Sequence, residues 1–264
     1  MNTIKDARRI VVKVGTSSLT HATGKVNIRM INRLAAALSD LHNAGREVAL
    51  VSSGALSVGV SKLGLAERPK DTPTRQAAAA VGQCELMFLY DKYFGECGNK
   101  VGQLLLTMDD FAHEQRRANL LNTFDRLFAL GAIPVINEND SVSTEEIEGL
   151  NFGDNDKLSA MVAQLVSADA LIMLTDIDGL FTANPNEDEN ATLLPVIAQV
   201  TDEILALGGD AGSARGTGGM FTKLQAAKLA TEAGIDTVIA NAAPENLYAL
   251  MDGRQIGTLF RRQA

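Results

Sequence analysis

The sequence has few cysteines, and their spacing does not indicate a structural role. Cys84 and Cys97 are the only two in 264 residues, and they form no Cys-x-x-Cys pair. A structural zinc site takes about four ligands. We therefore expect no zinc site, and two free thiols that behave as small hydrophobic side chains in a reducing cytosol.

Long apolar segments are also missing. The amino terminus, MNTIKDARRIVVKVG, contains no apolar core of signal-peptide length. No apolar run elsewhere approaches the roughly 20 residues that span a bilayer. We expect a cytoplasmic protein with no membrane partner.

The chain has no excess of positive charge. Its formal net charge is −8 and its isoelectric point is near 5.0, which leaves no broad basic field. Nucleic acid is therefore disfavoured as the main partner. An anionic ligand would have to be bound by a local cluster of cations.

The residues that are present predict an ordinary globular α/β protein. Hydrophobic residues make up 46% of the chain and charged residues 21%, which suits one large domain over residues 1–264. Strand and helix patterns alternate almost throughout, and this alternation is typical of a mainly parallel sheet with helices on both faces. Helices are predicted at 27–44, 74–95, 116–130, 154–168, 222–235 and 245–251, and strands at 9–14, 47–52, 101–106, 132–137, 170–176, 236–240 and 256–260.

The first strand carries a lysine inside its apolar run. Lys13 precedes the turn Gly15, Thr16 and Ser17 in RIVVKVGTSS. One interpretation is a lysine that snorkels to solvent from an edge strand. The other is a cation fixed beside backbone N–H groups that glycine leaves open, a combination suited to phosphoryl oxygens. The segment matches neither a Walker A loop nor the Gly-x-Gly-x-x-Gly fingerprint.

The second strand ends in VSSGA, residues 51–55, just before a helix. A helix cap and tight turn explain this segment at least as well as a binding site. It does not match the Gly-x-Ser-x-Gly nucleophile elbow, and His21, His42 and His113 form no visible constellation with it. A serine hydrolase is disfavoured.

An acidic stretch follows the strand AIPVIN. Residues 137–156 contain seven carboxylates and no lysine or arginine. A solvated loop is the default interpretation of such a run. Because this one begins at a strand end and finishes at a helix start, its carboxylates could instead bind a substrate ammonium, hold Mg²⁺ through water or orient a catalytic lysine.

A glycine-rich segment, GTGGMFTK, covers residues 216–223 and ends in Lys223. By itself it would be interpreted as a surface loop. Together with Thr175 and Asp176 at the end of the buried strand ALIMLTD, it predicts a pocket for the phosphates and sugar of a nucleotide. Two separated lysines, two glycine-opened turns and a carboxylate suit phosphoryl transfer, which needs positive charge over the phosphoryl oxygens more than a covalent nucleophile.

Eight segments in order, spanning residues 9–260, resemble the glutamate 5-kinases of the amino acid kinase family. They are VVKVGTSSLT, VSSGA, VGQLLLT, IPVINEND, FGDNDKLSA, LTDIDGLFTANP, GTGGMFTKLQAA and AGIDTVIA. NEND followed by GDND is more similar to this branch than to relatives that act on N-acetylglutamate, carbamate, aspartate or UMP. The resemblance implies the amino acid kinase fold with an open sheet of about eight strands in a three-layer αβα sandwich.

The resemblance also implies a reaction and a set of site residues. The reaction is ATP-dependent phosphorylation of the side-chain carboxylate of L-glutamate to γ-glutamyl phosphate, the first step toward proline, with Mg²⁺ accompanying ATP. Lys13 and Lys223 would stabilise the transferring phosphoryl group, and Asp156 would orient the two lysines. Glutamate would be bound by Ser53, Asp140 and Asn155. ATP would be bound by Lys13, Thr175, Asp176, Thr217, Gly218, Gly219, Met220, Phe221, Thr222 and Lys223.

Further expectations follow from the same resemblance. The amino-terminal half would bind mainly glutamate and the carboxy-terminal half mainly ATP, in a homo-oligomer, a dimer or tetramer, that proline inhibits. No residue is assigned as a direct Mg²⁺ ligand. Many members of the family carry a C-terminal PUA domain, which we expect to be absent here. Two alternatives stay open: another small-molecule kinase of this fold, and a non-catalytic protein that binds a nucleotide or anion.

Overall fold

The computed structural model describes residues 3–142, 155–185, 187–209 and 219–263. The chain divides into two compact units. Unit 1 consists of residues 1–13 and 156–264, and unit 2 of residues 14–155. The boundaries fall between Lys13 and Val14 and between Asn155 and Asp156.

Unit 2 alternates helices with three strands. Its helices are α1 (Thr16–Leu19), α2 (Ile28–Asn43), α3 (Ala55–Lys62), α4 (Thr72–Glu96), α5 (Met108–Ala112) and α6 (Glu114–Ala129). Its strands are β2 (Glu47–Ser52), β3 (Lys100–Leu106) and β4 (Ala132–Glu138). They lie in the order β3-β4-β2 and are parallel. Residues 133–137 of the middle strand, β4, are all buried, as a near-continuous apolar strand should be.

Helices α3 and α4 approach each other at the level of their backbones. A Cβ atom added at Gly82 would lie 1.8 Å from the carbonyl oxygen of Ala55, and one added at Gly59 would lie 1.7 Å from that of Ala78. Only glycine fits at such a distance, because real Cβ contacts are much longer. Helix α4 is therefore held closely against α3, which begins two residues after Ser53.

Unit 1 contains the other five strands, except for Val14 at the end of the first. They are β1 (Arg9–Val14), β5 (Ala170–Thr175), β6 (Val196–Ile197), β7 (Asp236–Asn241) and β8 (Thr258–Phe260). Their order is β1-β5-β7-β8-β6. Strands β5 and β7 are parallel, whereas β8 runs antiparallel to β7. The helices are α7 (Asp156–Leu165), α8 (Asp202–Ala206), α9 (Gly219–Glu232) and α10 (Glu245–Met251), after a short 3₁₀ helix at Thr3–Asp6.

The predicted fold class is confirmed: the chain is an α/β protein whose eight described strands are mostly parallel. Most of the predicted elements begin and end within a few residues of the observed ones. The short helices α1, α5 and α8 and the two-residue strand β6 were not predicted, and α1 occupies what was expected to be a turn; segments this short carry almost no periodicity. Among the described residues, no helix combines the length and apolar character needed to cross a bilayer.

Candidate active site

A buried carboxylate joins the two lysines that the sequence had singled out. Asp156 is the first residue of α7, and its side chain is fully buried. Its Oδ1 lies 2.8 Å from Nζ of Lys13, and its Oδ2 lies 3.2 Å from Nζ of Lys223. The predicted association of Lys13, Asp156 and Lys223 is therefore present, and we call these three residues the Lys-Asp-Lys cluster.

Lys13 reaches this cluster from inside β1. The residue is 0% exposed, and Val12 and Val14 beside it are buried as well. The interpretation of Lys13 as a snorkelling lysine is therefore wrong, because its ammonium group meets a carboxylate instead of solvent. A buried ammonium is tolerated only when an opposite charge compensates its loss of hydration.

Helix α9 supplies the second lysine and a further contact. Lys223 is its fifth residue, and its Nζ donates to the carbonyl oxygen of Gly219 at 2.9 Å. The hydroxyl of Thr222 donates to Oδ2 of Asp156 at 2.9 Å. The sequence had placed Thr222 among the ATP-binding residues without indicating that it would also contact Asp156.

A hydrogen bond within the first turn of α7 also involves Asp156. The hydroxyl of Ser159 donates to the main-chain oxygen of Asp156 at 2.6 Å, and Ser159 is fully buried. The sequence reasoning did not identify Ser159. A serine three residues after an acidic helix start is the signal that could have indicated it.

The cluster carries more positive than negative formal charge. Two ammonium groups meet one carboxylate, and Lys13 and Asp156 are fully buried while Lys223 is only 6% exposed. Attraction between charges is stronger in a poorly hydrated interior than in water, and so is the cost of an unbalanced charge. The arrangement is thus suited to an additional anion.

The other predicted ATP-binding residues that the structure describes lie at the end of strand β5 or at the start of helix α9. Thr175 is the buried last residue of β5, and its hydroxyl donates to Oδ1 of the exposed Asp176 at 3.1 Å. Gly219, Met220 and Phe221 form the first turn of α9. Thr217 and Gly218 lie outside the described residues.

In unit 2, Asn155 joins three groups from the ends of two strands. Its Nδ2 lies 2.8 Å from the carbonyl oxygen of Ser52, 2.6 Å from Oδ1 of Asn137 and 3.3 Å from Oγ of Ser53. All four residues are buried. The predicted substrate residues Ser53 and Asn155 are therefore brought together, and Asn137 lies with them.

Helix α4 adds two polar residues that the sequence reasoning missed. Oε1 of Gln83 accepts a hydrogen bond from Nδ2 of Asn137 at 2.8 Å, and the hydroxyl of Tyr90 lies 2.8 Å from Oγ of Ser52. Burial raises the pKa of Tyr90, so its hydroxyl stays neutral at physiological pH. The seven-residue spacing puts both side chains on one face of α4, and that spacing is the signal that could have found them.

Asp140 lies two residues beyond the end of β4. It is partly exposed, within a turn in which the N–H of Val142 donates to the carbonyl oxygen of Asn139. The N–H of Asn139 in turn donates to the carbonyl oxygen of Leu106 at 2.8 Å, which anchors the start of the turn to β3. The rest of the acidic stretch, residues 143–154, lies outside the described residues.

Comparisons with known proteins identify close relatives of the sequence. The sequence profile of the amino acid kinase family matches residues 8–241. The glutamate 5-kinase of Clostridium perfringens is 52% identical over 259 residues, which cover 97% of this chain and 96% of that protein. The glutamate 5-kinase of Moorella thermoacetica is 52% identical over 258 residues, covering 97% of this chain and 68% of the longer relative.

Solved structures show the same fold at much lower identity. The UMP kinase of Bacillus anthracis superposes with a TM-score of 0.64 at 16% identity, covering 98% of this chain and 97% of that one. The isopentenyl phosphate kinase of T. acidophilum superposes with a TM-score of 0.65 at 18% identity, covering 96% and 100%. Similarity at this level of identity establishes the fold alone.

Proposed function

The chain belongs to the amino acid kinase family, and we propose that it transfers the γ-phosphoryl group of ATP to the side-chain carboxylate of L-glutamate. The product is γ-glutamyl phosphate, and the reaction is the first step of proline biosynthesis. Relatives at about half identity over nearly the whole chain are glutamate 5-kinases, which supports this substrate over those of more distant relatives.

The observation that carries the proposal is the buried Lys-Asp-Lys cluster. Phosphoryl transfer develops negative charge on the equatorial and bridging oxygens, and fixed ammonium groups stabilise that charge without reorganising. A protein that only bound a nucleotide would not need two buried lysines held by one buried carboxylate. We assign Lys13 and Lys223 to the transferring group and Asp156 to the orientation of both.

The chemistry requires no general base. A glutamate side chain has an ordinary pKa of about 4.3, so its carboxylate is already ionised at neutral pH. One carboxylate oxygen forms a bond to the γ-phosphorus, and the bond from that phosphorus to the bridging oxygen breaks. The electron pair leaves with ADP. The residues therefore need to align two anions and to offset their repulsion, which suits a site rich in lysine rather than histidine.

We assign the two substrates to the two units. Unit 1 would bind ATP through Thr175, Asp176 and the segment 217–223. Unit 2 would bind glutamate through Ser53, Asn155 and Asp140, with the carboxylate of Asp140 facing the substrate ammonium. An N-acylated substrate has no ammonium group, so this assignment also favours the free amino acid.

Magnesium is part of the proposal as the companion of ATP. Among the described residues, no group of three or more His, Cys, Asp or Glu side chains is arranged to hold a metal ion. Mg²⁺ in kinases commonly uses phosphate oxygens, water and one or two carboxylates, so such a group is not required. When bound, Mg²⁺ would neutralise phosphate charge.

Release of ADP, measured with a panel of acceptors, tests this function. The panel contains L-glutamate, L-aspartate, N-acetylglutamate, carbamate and UMP, each with ATP and Mg²⁺. Release that depends on glutamate is expected, together with formation of γ-glutamyl hydroxamate when hydroxylamine traps the acyl phosphate. Release with another acceptor alone would identify a different kinase of this fold, and no release with any would indicate a binding protein.

Asp140→Asn is expected to raise the glutamate KM roughly 10- to 150-fold while changing the ATP KM little. The substitution keeps the size of the side chain but removes its charge, and a charge-assisted hydrogen bond contributes about 1.5–3 kcal/mol. Initial rates at varied glutamate and varied ATP measure both constants. An unchanged glutamate KM would contradict the assignment of Asp140 to the ammonium group.

Proline inhibition and self-association rest on the family resemblance. We propose that proline competes with glutamate in unit 2 and that the protein is a dimer or tetramer. Raising glutamate to saturation should then abolish inhibition by proline. Inhibition that persists unchanged at saturating glutamate would exclude a shared site.

A further inference from the structure

A line of three amide side chains connects α4 to the proposed glutamate site. Gln83, Asn137 and Asn155 follow one another through hydrogen bonds of 2.8 and 2.6 Å. Asn137 and Asn155 are buried and Gln83 is partly buried. We call these three residues the amide relay.

Two main-chain groups determine the direction of the relay. The carbonyl oxygen of Ser52 can only accept, so the atom of Asn155 that faces it is the donor Nδ2. The N–H of Glu138 can only donate, and it donates to Oδ1 of Asn137 at 2.9 Å. Both constraints agree that Asn137 presents its oxygen to Asn155. Its Nδ2 therefore points to Gln83, which must act as the acceptor.

The relay also decides what Asn155 can offer to a ligand. Its Nδ2 has two hydrogens, and the carbonyl oxygen of Ser52 and Oδ1 of Asn137 lie at hydrogen-bonding distance from it. The remaining capacity of the amide is the acceptor Oδ1. An acceptor suits the ammonium group of an amino acid and does not suit its carboxylates.

Gln83 is held at the start of this relay by helix packing. The adjacent residue, Gly82, lies in backbone contact with Ala55 of α3, and α3 follows Ser53 after one intervening residue. The same contact that fixes α4 thus fixes the distance between Gln83 and the end of β2. A flexible glutamine on a loosely packed helix could not define the orientation of its partner.

We propose that Gln83 is a positioning residue for the glutamate site, and that only its capacity to accept a hydrogen bond matters. Through Asn137, it reinforces the orientation that the carbonyl oxygen of Ser52 and the N–H of Glu138 impose, in which the oxygen of Asn155 is available to the substrate ammonium. This inference rests on the function proposed above. It assigns Gln83 no contact with ATP and none with the reacting atoms, so its effect should be confined to the binding of glutamate.

Two substitutions of Gln83 distinguish the effect of its hydrogen-bond acceptor from the effect of its side-chain size. Gln83→Glu retains an acceptor in the same place, whereas Gln83→Met keeps a similar length and removes it. Loss of a buried hydrogen-bond partner corresponds to about 5- to 150-fold in an equilibrium constant. Gln83→Met should raise the glutamate KM by that factor, with kcat and the ATP KM within about threefold of wild type. Gln83→Glu should stay within about threefold of wild type in all three.

The control is Gln115→Met on α6, an exposed glutamine whose side chain bonds Asn119 on its own helix. Gln115→Met makes the same chemical change as Gln83→Met and should leave kcat, the glutamate KM and the ATP KM unchanged. A wild-type glutamate KM in Gln83→Met, or equal defects in Gln83→Met and Gln83→Glu, would overturn the inference. If Gln83→Met does not fold, Gln83→Lys, which can only donate, replaces it, with the same expected rise in KM.

The wild-type protein distinguishes failure of this inference from failure of the proposed function. If wild type releases no ADP in response to glutamate, the proposed function is wrong, and the role of Gln83 in glutamate binding is wrong with it. If wild type is active and Gln83→Met keeps its glutamate KM, the function stands and the relay is wrong.

Discussion

Asp156→Asn is expected to lower kcat by roughly 10²–10³-fold, because both lysines of the Lys-Asp-Lys cluster lose the charge that orients them. The KM values for glutamate and ATP should change little, since neither substrate is assigned to Asp156. The substitution should also destabilise the protein. It removes the carboxylate that joins Lys13 and Lys223, two residues that are 0% and 6% exposed, and breaking a buried ion pair in this way costs about 3–5 kcal/mol.

Thermal unfolding and initial-rate kinetics measure the two effects separately. Asp252→Asn is a suitable control, because Asp252 is exposed and its ion pair with Arg254 is exposed as well. Adding Lys13→Met to Asp156→Asn should restore part of the stability by removing one buried ammonium that has lost its pairing with Asp156, without restoring kcat. An Asp156→Asn variant with wild-type kcat, or one that loses only substrate affinity, would show that the role assigned to Asp156 is wrong.

Lys13→Met and Lys223→Met should each lower kcat by roughly 10²–10³-fold, which is the typical effect of losing one preorganised donor to a transition state. Their effect on stability should be much smaller than that of Asp156→Asn. Removing one lysine leaves one ammonium and one carboxylate, so the cluster becomes balanced instead of more strongly charged. Methionine also fills most of the volume that the lysine chain occupied in the core.

The combination of a large rate loss and a small stability loss distinguishes these lysines from structural residues. Lys62→Met is the matched control, since Lys62 pairs with Glu85 on the surface and its side chain is 49% exposed. Rates are compared at saturating glutamate and ATP in folded, purified variants. Near-normal kcat in either Lys13→Met or Lys223→Met would contradict the assignment of that lysine to the transferring phosphoryl group.

Local patterns were sufficient to predict most of the fold. Strands such as β5 and β7 are short apolar runs bounded by polar residues, and α2 has apolar side chains at intervals of three and four residues. Such patterns of apolar residues indicate which side chains are buried and whether the segment is a helix or a strand. Lys13 could be singled out in the same way, because a charge within an apolar strand violates its pattern and therefore requires a partner.

The identity of that partner could be proposed from the sequence only through the family resemblance. Lys13, Asp156 and Lys223 lie in three elements far apart in the chain, and nothing in the local period of β1 indicates which carboxylate will meet its ammonium. The packing of β1, α7 and α9 in unit 1 brings the two lysines to opposite oxygens of one buried aspartate. Ion pairing depends on distances of a few ångströms, whereas hydrophobic periodicity reports only burial.

The amide relay depended on tertiary structure entirely. Helix α4 is Ala-rich, and in the sequence Gln83 and Tyr90 look like ordinary polar positions of a long helix. Their roles arise because Gly59 and Gly82 let α3 and α4 touch, which brings one face of α4 to the ends of β2 and β4. The sequence alone determined the elements, the burial pattern and the family; tertiary structure decided which polar groups meet, because a hydrogen bond is directional and joins particular atoms.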